Sequence, residues 1–377
     1  MSKTLQDYAT LINDTIQSNE INHYITTDNM CQNLGGIDTF KNINIPQGKV
    51  RSFQKDDVLL SNIRLYFRKV YRAKQKGGCS SDVLVFRAKH IDSATLFAIL
   101  SSQIFTDYAC LGSQGSKMPR GNKTHMMDFK IPTINFTIAK IFNSIQNKIE
   151  NNHKINELLH KILELLYEQY FVRFDFLDEN NKPYQTSGGK MKFSKELNRL
   201  IPSGWSVRFL NHKIVSTYQP KTISKTLLND SYSYSVYGGG GIIGRFTEYN
   251  HEQSEFIISC RGQCGISYLT LPKSWITGNA MVIRPTKSYT SKTYLYHTIK
   301  KYKLTNYITG SVQPQITRQN LSTMPILIPK RKTLNKWNNI SSLLWNLIHN
   351  NMQSTQTLTA LRDFLLPLLL TQQVKPK

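Results

Sequence analysis

Two stretches of this chain repeat apolar residues at three- and four-residue steps for longer than a globular helix needs. The first begins near Ile138 and runs through Ile141, Phe142, Ile145 and Ile149. It then passes the polar group Asn151-Asn152-His153 and resumes at Ile155, Leu158, Leu159, Ile162, Leu165 and Leu166. The second runs Leu334, Trp337, Ile340, Leu344, Leu347 and Ile348, then past Asn350-Asn351 to Leu358, Leu361 and Leu365. Such spacing lines one face of an α-helix, and a stripe of some 35–40 residues makes a rod of about 55 Å at roughly 1.5 Å per residue. The pattern predicts that the two rods bury these stripes on each other as an antiparallel coiled coil, with the asparagines fixing register. Pro367 is expected to kink or end the second rod.

The segments ahead of the rods are written twice, with a period of about 200 residues. Asp57-Val-Leu-Leu-Ser61 followed by Arg64 matches Glu255-Phe-Ile-Ile-Ser259 followed by Arg261. Each is a strand-length apolar run ending in a polar turn. Gly115-Ser116-Lys117-Met118-Pro119 matches Gly310-Ser311-Val312-Gln313-Pro314, and both copies close on Ile-Pro, at Ile131-Pro132 and Ile328-Pro329. Between the first rod and the second copy, Phe174–Ser203 carries turn formers at Asn180-Asn181, Gly188-Gly189 and Pro202, and reads as the start of the second globule. The expected plan is α+β with an internal pseudo-twofold repeat. Its parts are a globule over 1–134, a rod over 135–175, a globule over 176–332, and a rod with its tail over 333–377.

Composition narrows the function. A chain of 377 residues that is 40% hydrophobic can bury two or three cores. Lys plus Arg number 48 against 24 Asp plus Glu, a formal charge of +24 spread along the whole chain. That excess attracts polyanions, phosphate backbones first among them; a membrane-surface binder or a merely basic protein is the blander alternative. Five cysteines without framework spacing fit free thiols in a reducing cytoplasm. The first residues lack the basic-then-apolar pattern of a secretory leader, and Phe364–Leu370 is too short to span a bilayer. A soluble intracellular protein is expected.

Few motifs suggest chemistry. Gly238 to Gly244 contains a Gly-x-Gly-x-x-Gly pattern, but Arg245-Phe-Thr-Glu-Tyr-Asn250 behind it does not open a helix, so a glycine turn between strands is expected rather than a dinucleotide site. Cys260-x-x-x-Cys264 has no second ligand pair, so no metal is expected. Asp128-Phe-Lys130 lacks the companion carboxylate of a nuclease. No phosphate-binding Gly-Lys-Ser/Thr loop, amino-methyltransferase Asn-Pro-Pro-Tyr or His-Glu-x-x-His is present. No catalytic residue is assigned. The expected DNA contacts in the first globule are Arg64, Arg68, Lys69, Arg72 and Lys74, interleaved with Tyr66 and Tyr71, together with Lys117, Arg120 and Lys123. In the second they are Tyr237, Gly239, Arg245, Arg261, Gln313, Gln315 and Arg318. Arginine pairs with guanine and glutamine with adenine in the major groove.

With these residues set out, the chain resembles the specificity subunits of type I restriction–modification systems over nearly its whole length. The resemblance is carried by Tyr234-Ser-Val-Tyr237 with the following glycines, by Ile201-Pro-Ser-Gly-Trp205, by Leu166 to Phe176, and by Leu361-Arg-Asp-Phe-Leu-Leu-Pro367. It implies two target-recognition domains held apart by paired helices, each reading half of a split duplex site. It implies no cofactor in this chain. S-adenosylmethionine would belong to partner methyltransferase (modification) subunits, and ATP with magnesium to restriction subunits. Two other classes stay open: a self-contained DNA methyltransferase or nuclease with an unfamiliar site, and a coiled-coil or RNA-binding adaptor.

Overall fold

The computed structural model describes residues 3–38, 43–131, 134–229, 232–262, 264–310 and 313–369. Two compact units emerge, one from residues 1–155 with 351–377 and the other from 156–350.

In the first unit an antiparallel sheet is formed by β1 (Ala9–Ile12), β2 (Val58–Ser61), β3 (Val70–Arg72) and β4 (Val83–Ala88), in the order β1-β4-β2-β3. The second unit repeats it with β5 (Val215–Tyr218), β6 (Phe256–Ser259), β7 (Ser267–Leu269) and β8 (Ala280–Pro285), in the order β5-β8-β6-β7. The central strands β2 and β6 are buried along their whole length, which is why each reads as an unbroken apolar run. Registers agree as well: Ser61 pairs with Val83 and Ser259 with Ala280.

The residue just before each central strand is a buried carboxylate. Asp57 receives Arg87 through two bonds of 2.8 Å, and Glu255 receives Arg284 at 2.5 and 3.4 Å. Arg87 and Arg284 each lie four residues beyond the start of the neighbouring strand, so the duplication reaches individual side chains. The glycine-rich segment is a hairpin turn between Tyr234–Gly238 and Gly241–Phe246, as the sequence leads one to expect. Gly241 there has φ of +100°. The Phe174–Ser203 segment forms a hairpin, Met191–Ser194 with Arg199–Pro202. Beside it the buried Trp205 stacks on Phe176 at 5.1 Å.

The long helices span Phe136–Tyr167 and Arg331–Leu365. The first runs straight through Asn151–His153, and the second gives way to a 3₁₀ turn, Leu366–Leu369, where Pro367 stands. Within the first unit, Gln146 Oε1 accepts from Arg362 Nη1 at 3.2 Å, and Asn152 Nδ2 donates to Thr355 Oγ1 at 3.2 Å. Within the second, Asn156 Nδ2 donates to the Ile348 carbonyl at 3.3 Å, His160 meets Trp345 edge-on at 5.0 Å, and Tyr167 meets Trp337 at 5.8 Å. The helix segments inside each unit therefore run antiparallel.

The face that packs matches the expected one only in part, at Phe142, Ile145 and Ile149 on the first helix and Leu334, Trp337 and Ile348 on the second. From Phe142 the buried line continues through Ile145, Ile149, Asn152 and Leu163 to Tyr167, with Asn156 and His160 half-buried between. Ile141, Ile155, Leu158, Ile162 and Leu165 are exposed instead. The second helix buries Leu334, Trp337, Ser341, Trp345, Ile348 and Arg362, whereas Ile340, Leu347 and Leu361 face outward. The three-and-four rhythm is unbroken along the packed line. It runs through polar residues that find partners there, which an apolar count cannot register.

Candidate nucleic-acid interface

Beyond the C-terminal end of β2 the chain turns through Asn62-Ile63-Arg64. The Asn62 amide donates to the Asp82 carbonyl at 2.8 Å, and the Arg64 amide to that of Pro119 at 2.9 Å. Ile63 forms an antiparallel bridge with Arg120, whose backbone also exchanges bonds of 2.8 and 2.9 Å with Gln114. Gly115, at φ of +98°, makes the return that brings Arg120 back. Asn62–Arg64, Asp82 and Gln114–Arg120 thus meet at one end of the sheet. The Arg120 side chain is 62% exposed, with Nη2 3.0 Å from Asp82 Oδ1. Asn122 then caps the short helix Lys123–Met127, with Lys123 exposed as its first residue.

The second unit repeats this cluster. The Cys260 amide donates to the Asn279 carbonyl at 3.0 Å, and Arg261 bridges Gln315 as Ile63 bridges Arg120. Gly310 has φ of +90°, and a Cβ there would lie 2.5 Å from the Gln313 carbonyl. Thr317 caps the helix Arg318–Leu321, as Asn122 caps its counterpart. The glycine hairpin joins from the side, since a Cβ on Gly239 would come within 3.0 Å of the Arg261 carbonyl. Position by position, Arg120 corresponds to Gln315, Asp82 to Asn279, and Lys123 to Arg318. Ser311 and Val312 of the second copy, and Pro132 of the first, lie outside the described residues.

Of the fifteen sequence-selected positions, Arg64, Lys117, Arg120, Lys123, Gly239, Arg261, Gln313, Gln315 and Arg318 fall on these loops. The others are held elsewhere. Tyr237 is a correction: it is 3% exposed, and its hydroxyl accepts from the Leu271 amide at 3.0 Å, so it belongs to the core. The basic run from Arg64 to Lys74 also turns inward, and none of its five cations is fully exposed. Arg64 Nη2 reaches the Lys117 carbonyl at 3.4 Å, Arg68 Nη2 that of Ser101 at 2.9 Å, and Lys69 Nζ that of Thr27 at 2.6 Å. Arg72 lies 3.6 Å from Asp56, and Lys74 lies 3.2 Å from Glu150. Burial pushes the Arg68 guanidinium below its ordinary value. These half-exposed groups bond to the unit's own carbonyls and carboxylates. Arg245 turns back on the carbonyls of Tyr232 and Ser233.

The profile described as "Type I restriction modification DNA specificity domain" matches residues 202–360. The type I restriction enzyme MjaIX specificity subunit of Methanocaldococcus jannaschii is 21% identical over 321 residues, covering 75% of this chain and 69% of that protein. The crystal structure of the type I restriction–modification system S subunit from M. genitalium shares the fold. Its TM-score is 0.63 at 14% identity, over 99% of this chain and 96% of that one. Residues 202–360 thus match a type I restriction–modification DNA-specificity domain.

The sequence signatures that carry this resemblance prove to be scaffold. Trp205 and Tyr237 are core residues, and Phe171, Phe174 and Phe176 pack around Trp205. The profile does not extend to the first sheet, and the shared ladder and ion pair are what relate that unit to the specificity domain. Asp82 and Asn279 carry no sequence signal, because each sits between a turn and a strand with nothing around it to mark a motif. Among the described residues, no group of three or more His, Cys, Asp or Glu could hold a metal ion, and Cys79, Cys110, Cys260 and Cys264 are free thiols. No single helix there is long and apolar enough to cross a membrane.

Proposed function

We propose that the chain is the non-catalytic DNA-specificity subunit of a type I restriction–modification complex, selecting the sequence on which its partner subunits act. The observation that carries this reading is the same ladder, ion pair and loop cluster occurring twice in one chain. Two copies of one reading head suit a split duplex site, one half for each of 1–134 and 176–332, with the helical segments 135–175 and 333–377 setting the gap. The exposed loop residues Lys117, Arg120, Lys123, Arg261, Gln313, Gln315 and Arg318 supply phosphate and base-edge contacts, with Gly239 allowing close backbone approach.

The outward row on the first long helix suits the partner subunits. Leu158, Ile162 and Leu165 are 62%, 44% and 54% exposed at i, i+4 and i+7, a stripe that fits a second helix. Two modification subunits docking on such stripes would bring S-adenosylmethionine, and restriction subunits ATP and magnesium, all in the cytoplasm of a bacterium or archaeon. Mapping adenine methylation in cells that express the modification subunit with and without this chain tests the assignment. A split motif present only with the chain is the expected result; an unchanged pattern with every subunit expressed would overturn it.

A further inference from the structure

The paired loop clusters differ at one place where they otherwise agree. Asp82 and Asn279 are each the residue before the strand beside the central one, and each gives its backbone carbonyl to the turn after that central strand, at 2.8 and 3.0 Å. Arg120 and Gln315 each bridge that same turn. In the first unit the side chains at the two positions form an ion pair, with Arg120 Nη2 3.0 Å from Asp82 Oδ1. In the second unit both positions carry neutral amides, Asn279 and Gln315, and both are exposed.

An ion pair this exposed contributes little to folding. A carboxylate at a DNA-facing loop of a chain with charge +24 also opposes phosphate attraction. What it supplies is direction. An arginine tethered at one Nη keeps its fork in a fixed plane and leaves the remaining donors for a planar acceptor pair. It also raises the cost of a wrong base, because a misplaced guanidinium must leave its carboxylate.

Resting on the DNA-reading function proposed above, we infer that Arg120 is the specificity-determining residue of the first half-site, reading a guanine edge, and that Asp82 is its positioning residue. Gln315 holds the matching place in the second half-site and reads an adenine edge, with Asn279 beside it. One pair of matched positions thus gives the two units different base preferences on one scaffold.

The test is selection of bound duplexes from a randomised library by the full-length chain, comparing the unaltered protein with Arg120→Gln, Asp82→Asn, Asp82→Glu and Gln315→Ala. A bidentate contact discriminates by about ten- to a hundredfold. Arg120→Gln should remove a guanine preference of that size at one base pair of one half-site. Asp82→Asn, which keeps the side chain's shape, should weaken the same preference several-fold, and Asp82→Glu should restore part of it. Gln315→Ala should affect only the other half. A purely structural role for Asp82 would lower the melting temperature and leave base preference unmoved, overturning the positioning claim. Uniform loss on every sequence would make Arg120 a phosphate contact and overturn the assignment. If the unaltered chain enriches no split site, the parent reading fails instead, and that result is separable from the other two.

Discussion

Within the second unit, His297 and His349 face a wall of rings. His297 stacks on Tyr167 at 5.6 Å and meets Trp337 edge-on at 5.3 Å, while His349 lies 5.8 Å from Trp345. Burial, reinforced by Lys300, His160 and Lys301, pushes His297 down to about 3; burial with Lys292 and His160 pushes His349 down to about 4. Both are therefore neutral in the fold and protonate readily only when it opens. The unfolded chain takes up protons first, so the stability these residues contribute is intact above pH ~6.5 and declines as pH falls towards 4, by about 1.4 kcal/mol per pH unit for each histidine. Urea midpoints measured between pH 7 and 4.5 should fall accordingly, and His349→Phe should flatten that decline by one histidine's share. An unaltered slope in the variant would show that His349 is already solvated. At this scale the sequence was partly legible. Asp57 and Glu255 stand in the quoted repeat, but their arginine partners lie about 30 residues away along a neighbouring strand. Nothing in the spacing announces them. In the run from Arg64 to Lys74 the charge is visible in sequence, and the carbonyls and carboxylates it bonds to are not.

Each long helix presents two lines at helical spacing. The packed line on the first carries Asn152, Asn156 and His160 among apolar residues, and the exposed line is almost wholly Ile and Leu. Hydrophobic periodicity located both helices to within a few residues and found the packed line at Phe142, Ile145, Ile149, Leu334, Trp337 and Ile348, but elsewhere it followed outward residues, since it scores apolar content rather than partnership. The polar seam is held by hydrogen bonds to Thr355, to the Ile348 carbonyl and between Gln146 and Arg362. Replacing Leu158, Ile162 and Leu165 together by Lys should leave the melting temperature of the isolated chain within a few degrees, because solvent already reaches all three. The same change should abolish co-purification with the modification subunit. Retained assembly would place the partner on another surface. A large drop in melting temperature would mean that the row stabilises this chain itself.

For the molecule as a whole, the duplicated plan was readable at its landmarks: the strand that ends at Ser61 or Ser259, the Gly-x-x-x-Pro loop, the helix that follows. Less legible was that the capped turns after Pro119 and Pro314 fall in step, because Asn122 and Thr317 share a capping role without sharing a letter. If the proposed function holds, the length of the two long helices should govern the gap between half-sites. Seven residues added to each helix, after Ile155 and after Asn350, preserve the helical phase and lengthen the path by about 10 Å. Methylation mapping should then return the same two half-sites separated by about three more base pairs; an unchanged gap would refute the ruler. The buried Arg362 gives that ruler a further property. It is 1% exposed and bonded both to Gln146 and to the neighbouring Asp363; sliding one helix by a heptad in one direction would bring it level with Ala139 and cost it the Gln146 bond. The Gln146–Arg362 bond thus opposes that slide, and lengthening both helices together is the change that keeps it.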